Sequence, residues 1–231
     1  HSYFINHMDE KFDVVGLITE PHHDYFDSQR EASKIVRKHF NNLQTTEQFY
    51  FTTSDLKLNN HKKLKSKEIN KVENIEWVKS LKPDYIILYG TGILNSNWFD
   101  EFDDKIINLH LGMSPYYRGS ATLFWPFYNN EIDYLGITIH IATEQVDAGE
   151  ILHIVTPDIE EDDNYYDITN KLIKKSIEKF PEVVYDYHSG DIKKIPQDIS
   201  KQKYYYKKKD FTESCLIEVS DRLWGKNVIS S

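Results

Sequence analysis

Short apolar runs alternate with segments of helical spacing through the first half of the chain, and this alternation constrains the fold more than any other feature. "FDVVGLIT" (12–19), closed by Pro21, "DYIILYG" (84–90) and "KIINLHLG" (105–112) have the length and residue types of buried strands. Between them, "SQREASKIVRKHF" (28–40) brings Ala32, Ile35, Val36 and Phe40 to one helical face, and "NIEWVKSLKP" (74–83) is a second helix stopped by Pro83. Strands separated by helices predict an α/β fold: a Rossmann-like, mostly parallel sheet flanked by helices and built of right-handed crossovers. "LGITIHIAT" (135–143) alternates, and "GEILHIVTPDI" (149–159) follows it as a partner strand.

Both ends depart from this pattern. "HSYFINHMDEKF" (1–12) has helical spacing and runs straight into the first strand, whereas such a sheet normally starts with a strand before that helix; a leading strand is expected to be missing. Beyond residue 156 come a predicted helix near 163–180, a turn at "HSGD" (188–191) and the tyrosine-lysine run "KYYYKKKD" (203–210). The expected division is a catalytic core over 1–156 and a small C-terminal helix-and-strand appendage over 157–231.

Composition narrows the function. At 231 residues and 39% hydrophobic, the chain can bury one substantial core plus an appendage. Its longest apolar stretch, "YIILYGTGIL" (85–94), holds two glycines and is far short of the roughly 20 residues a membrane span needs. With one cysteine, Cys215, no internal disulfide can form, and no signal-peptide pattern opens the chain; a cytoplasmic protein is expected. The net charge of −9 argues against a nucleic-acid partner, since phosphate contacts come from Lys and Arg. The lysine-rich run 57–71 reads as a solvated face. "PHHDYFD" (21–27) places His22, His23 and Asp24 within metal-ligand reach, but adjacent histidines point apart on a strand, so no metal is expected.

The chemistry concentrates in "NLHLGMSPYYRGS" (108–120). Asn108 and His110 leave the same face of a strand, which breaks at once into a loop built on Gly112, Pro115 and Gly119. An Asn amide can donate to a developing oxyanion, and a His can hold or pass a proton near neutral pH. Asp147, in "EQVDAGEI", supplies the carboxylate such a pair needs. A lone Asn or His at a strand end is an ordinary cap; three groups with this loop point to transfer at a carbonyl.

"NLHLGMSPYYRG" together with "LGITIHIATEQVDAGEIL" resembles the folate-dependent formyltransferases, and residues 84–155 carry the likeness. The resemblance implies that Asn108, His110 and Asp147 are the catalytic set and that 10-formyltetrahydrofolate is the donor, with no metal. It implies that the pterin lies along Leu88, Gly90, Gly92, Ile93 and Leu94 and meets Thr143, Glu144 and Val146. Met113, Ser114, Tyr117 and Arg118 then fall on the acceptor side, Arg118 mainly fixing its own loop. The short "HLGMSPYYRG" form, with Gly112 where a serine is common, resembles members that formylate nucleotide-linked amino sugars. A dTDP-4-amino-4,6-dideoxyhexose for surface polysaccharide (lipopolysaccharide O-antigen) is the expected acceptor, and a homodimer the expected state. Tyr205 and Lys207 would give the nucleotide a ring and a cation; the alternative reading of that run is an exposed strand with inward tyrosines. Other acceptors are methionyl-tRNA, glycinamide ribonucleotide and water. A non-catalytic folate or nucleotide-sugar binding module would not need the three catalytic groups.

Overall fold

A computed structural model describes residues 1–21, 33–52 and 58–225. In chain order these form α1 (Ser2–Lys11), β1 (Leu17–Thr19), α2 (Lys34–Tyr50), β2 (His61–Lys63), α3 (Val72–Ser80), β3 (Ile86–Leu88), α4 (Ser96–Glu101) and β4 (Ile106–His110). There follow β5 (Tyr117–Gly119), α5 (Trp125–Tyr128), β6 (Ile137–Ile141), β7 (Ile151–Val155), α6 (Tyr165–Ser189), β8 (Tyr204–Tyr206), α7 (Glu213–Glu218) and α8 (Ser220–Trp224). His22, His23 and Asp24 lie outside the described residues, as does the start of the helix expected at 28–40.

The central sheet has the order β3-β4-β6-β7. β3 and β4 are parallel, while β6 runs antiparallel to both β4 and β7. β1 pairs with β2, and β5 with β8, both in parallel. β2 lies inside the lysine-rich run expected to be only a solvated face. Its three residues alternate no apolar side chains, so only the pairing with β1 makes them a strand.

Parity along the strands sorts the layers. Ile107, Leu109, Ile137, Ile139 and Ile141 enter the main core with Ile168, Leu172, Ile177 and Phe180 of α6. Ile106 faces the other way and packs with Leu94, Trp98, Phe102 and Ile75. Full burial of each such side chain contributes about 1.5–3 kcal/mol. β6 is buried on both faces, which its alternating sequence does not suggest: its polar phase, Thr138 and His140, is covered by the loops described below.

The break expected between 156 and 157 is not a break in packing. Helix α6 ends nine residues beyond the expected 180 and fills the main core, and Leu216, Val219 and Leu223 join it. Asn164 starts α6 by accepting from the amides of Tyr166 and Asp167, and Gly190 (φ +79°) ends it in the left-handed region where glycine is favoured.

Candidate active site

Asn108 sits at the middle of three strands, with Leu88 of β3 opposite it on one side and His140 of β6 on the other. Its side chain and that of His110 leave the sheet on the face away from α6, as their spacing predicts. His110 Nδ1 lies 3.3 Å from Asp147 Oδ1, and its Nε2 lies 3.1 Å from the carbonyl oxygen of Tyr117. Both ring nitrogens face oxygens, an arrangement satisfied by an imidazolium donating twice. Asp147 Oδ2 accepts the Gly119 amide at 3.2 Å.

Asp147 reaches this position by an unexpected route. Because β6 is antiparallel to β4, its carboxyl end lies beside the amino end of β4, where the Ala142 amide donates to Ile106 O. The chain then doubles back over the polar face of the sheet. Asp147 itself is in the left-handed region (φ +51°). A side chain on Gly149 would stand 1.8 Å from Ile141 O, so only glycine lets the return stretch lie this close to β6.

Sequence reasoning missed His140. It is 1% exposed. Its Nε2 lies 3.1 Å from Asn108 Nδ2 and 3.8 Å from Asp147 Oδ1, and its Nδ1 lies 2.8 Å from Ile141 O. Burial, and then the neighbouring His110, push it down to about 4. The available signal was its polar phase in a strand beside Asn108, but using it required the register. Thr138, next on that face, accepts the Ser114 amide and donates to Gly112 O, tying the loop to the sheet.

His39 is buried too. Its Nδ1 lies 2.9 Å from the Tyr166 hydroxyl among aromatic rings, and burial pushes it to about 4 as well. Both groups bind a proton more readily in the unfolded chain, so stability falls as pH drops from 6.5 towards 4. The slope should approach about 1.4 kcal/mol per pH unit for each histidine. Urea unfolding across that window checks this: His39→Gln should make the slope shallower, and an unchanged slope would assign the effect elsewhere.

The loop residues divide. Ser114 and Tyr117 are 0% exposed, and the Tyr117 hydroxyl donates to Glu131. The acceptor contact expected of these two is therefore corrected to a structural role, because no surface of either meets solvent. Met113 is partly covered, its thioether end lying over Gly136. Arg118 is buried; it donates to Gln202 Oε1 at 2.6 Å and to Val146 O. It thus ties the 143–147 loop to the tail. In β8, Tyr204 and Tyr206 turn inward, with Tyr206 stacked on Trp125 at 3.8 Å. Tyr205 is 45% exposed and lies 5.6 Å from the Arg118 guanidinium. Lys207 is exposed and continues the extended backbone one residue past β8.

Two loops flank Asn108 where a flat ligand would lie. After Leu88 come Gly90 (φ +63°), Gly92 and Ile93, all exposed, with the Ile93 side chain 69% accessible. Asn70 straps this loop, donating to Ile93 O and accepting the Asn95 amide, both at 2.9 Å. Leu94 is corrected from the ligand side to the core, where it packs with Trp98. Thr143 and Glu144 are exposed and Val146 is half-buried. An exposed Ile93 on a braced loop fits the edge of a bound pterin, with the His1 ring lying against Gly90 and the Gly92 amide donating to Glu20 Oε2 at 3.2 Å. Among the described residues, no cluster of three or more His, Cys, Asp or Glu is placed to hold a metal, and no helix is long and apolar enough to cross a membrane.

Residues 5–184 match the formyl transferase family. The chain belongs to that family. The resulting formyltransferase fold is shared with solved relatives. The formyltransferase PseJ from Anoxybacillus kamchatkensis, solved with UDP-4,6-dideoxy-4-formamido-L-AltNAc and tetrahydrofolate, superimposes with a TM-score of 0.52 at 22% identity, covering 90% of this chain and 96% of that one. Phosphoribosylglycinamide formyltransferase from Streptococcus pneumoniae TIGR4 gives 0.58 at 18% identity, covering 81% and 93%. Among curated relatives, a methionyl-tRNA formyltransferase of Bacillus velezensis is 28% identical over 202 residues, 85% of this chain and 57% of that protein. One from a Hydrogenobaculum species is 30% identical over 141 residues, 59% and 46%. The chain thus spans about half the length of these curated relatives.

Proposed function

We propose that this chain transfers a formyl group from 10-formyltetrahydrofolate to the primary amine of a nucleotide-linked amino sugar. The observation that carries the transfer is the His110–Asp147 pair beside a half-buried Asn108, bracketed by the two loops. The donor supplies an electrophilic formyl carbon. The neutral amine attacks it, forming the C–N bond. Asn108 then donates an N–H to the formyl oxygen as negative charge grows there, and the His110 cation, held by Asp147, adds its field. Because Tyr117 O occupies His110 Nε2, Asn108 is the direct donor of the pair. Asp147, directly or through water, helps move the proton from the amine to the folate nitrogen as the bond between that nitrogen and the formyl carbon breaks, and tetrahydrofolate leaves. Positioning two bound substrates contributes much of the rate.

The acceptor assignment rests on β8. It carries Tyr205 outward beside Arg118, one position along β5 from Tyr117 and next to the Gly119 whose amide holds Asp147. The sugar-bound ligand of PseJ supports the same class. Tyr205→Ala should raise KM for the nucleotide sugar by about tenfold, the worth of one base–aromatic stack, and leave KM for formyl-folate unchanged. Lys207→Ala should move in the same direction by less, because an exposed charge contributes little. Separate titrations of the two substrates check both.

Methionyl-tRNA is the second reading, favoured by the curated relatives. Formyl-folate turnover with a dTDP-4-amino-4,6-dideoxyhexose, a UDP-4-amino sugar, glycinamide ribonucleotide and methionyl-tRNA decides between them. Turnover is expected with a nucleotide sugar. Turnover with methionyl-tRNA or glycinamide ribonucleotide alone would overturn the sugar assignment.

A further inference from the structure

An asparagine that serves as an oxyanion donor has an orientation problem. The two ends of its amide have nearly the same shape, so packing alone does not decide whether N–H or C=O faces the reacting atom. Only a neighbour that is strictly donor or strictly acceptor can decide it. The neighbour of Asn108 is His140, directly opposite on β6 and 3.1 Å away at Nε2.

The hydrogen-bond chain through His140 fixes what Nε2 is. Nδ1 faces the carbonyl oxygen of Ile141 at 2.8 Å, and a carbonyl only accepts, so Nδ1 carries the proton. The ring is buried, and the groups facing it are His110, Arg118 and Asp147. Two of these carry or accept positive charge, which disfavours a second proton on the ring. Asp147 Oδ1 is 3.8 Å from Nε2, beyond a hydrogen bond, and the pull of its charge is outweighed by burial and by His110. Nε2 is left with its lone pair, and the Asn108 NH₂ is the donor that meets it.

We propose that His140 is a positioning residue that holds the Asn108 amide with its NH₂ end inward, leaving the second N–H for the formyl oxygen. This rests on the formyl-transfer reading for its consequence, but not for its geometry. His140 touches neither substrate. It acts by making the flipped amide costly: a reversed Asn108 would set Oδ1 against the Nε2 lone pair.

Two variants separate this role from mere packing. His140→Leu keeps bulk and removes the acceptor; His140→Gln offers Oε1 in place of Nε2. With formyl-folate and the accepted amine, the leucine variant should lose about tenfold in kcat, less than deletion of Asn108 itself, with KM for formyl-folate unchanged. The glutamine variant should recover most of that loss. Nitrogen-15 NMR on the wild-type protein should show His140 protonated at Nδ1 and bare at Nε2, with one Asn108 side-chain N–H protected from exchange. A ring protonated at Nε2 would overturn the proposal. So would a leucine variant with wild-type kcat, or a glutamine variant no better than leucine. The NMR result does not depend on turnover: if the wild type formylates nothing in the panel, the functional reading fails while the tautomer still decides the geometry. If the leucine variant does not fold, the glutamine variant and the wild-type tautomer remain the test.

Discussion

Asp147→Asn should lower formyl transfer by about two orders of magnitude or more while circular dichroism stays that of the parent. The substitution keeps shape and removes function in two ways. Asp147 accepts through both oxygens, Oδ1 towards His110 Nδ1 and Oδ2 from the Gly119 amide. An asparagine has one oxygen for two donors, so its NH₂ must oppose either the imidazole N–H or the Gly119 N–H. It also removes the negative charge that pairs with the His110 cation. Alanine at Asn108, His110 or Asp147 should each cost at least about a hundredfold for related reasons. Near-wild-type kcat in the His110→Ala enzyme would remove the mechanism.

Gly119→Ala should have the second-largest effect, and through structure. Gly119 has φ +94°, and a Cβ there would stand 2.0 Å from Tyr206 O. Alanine is thus strained in its backbone and blocked by a backbone atom that cannot rotate away. β8 must leave β5. The departure breaks the Ser120 N–H to Tyr206 O bond (2.8 Å), opens the Tyr206–Trp125 stack and takes Gln202 from Arg118. We expect about 3 kcal/mol lost in urea unfolding, the scale of a strained left-handed residue plus broken contacts. We also expect a rise in KM for the acceptor of about a hundredfold, the stack and the Asp147 clamp being disturbed together. Formyl-folate affinity should change far less, since its loops brace on Asn70 and the α4 side. Wild-type stability with an unchanged acceptor KM would mean that β8 docks elsewhere.

What the sequence revealed depended on whether a signal was local. Asn108 and His110 were legible because a strand's period of two fixes their common face, and the glycines and proline after them mark the loop. β4, β6 and β7 were legible because their apolar runs have no competing period. β2 was not: three polar residues become a strand only because β1 needs a partner. Asp147 was found by its flanking residues, but its path over the sheet was not legible, since nothing local says that β6 turns antiparallel to β4. His140 needed the cross-strand register, which is a tertiary fact. Ser114 and Tyr117 stood in the signature loop, but a loop motif does not tell which of its side chains turn inward. In the tail the alternation was correctly seen as a choice: Tyr204 and Tyr206 pack, and Tyr205 is left outside.

The pairing of β5 with β8 also sets a timetable for the molecule. Tyr117 lies opposite Tyr204, 87 positions later in the chain. Asn108, His110, His140 and Asp147 all leave the ribosome well before β8, and Leu216, Val219 and Leu223 of the main core follow later still. Contacts so distant in sequence carry a high closure entropy and form late. A growing chain therefore carries Asn108, His110, His140 and Asp147 for some time before the strand that pairs beside them is made, and its main core is completed only after that.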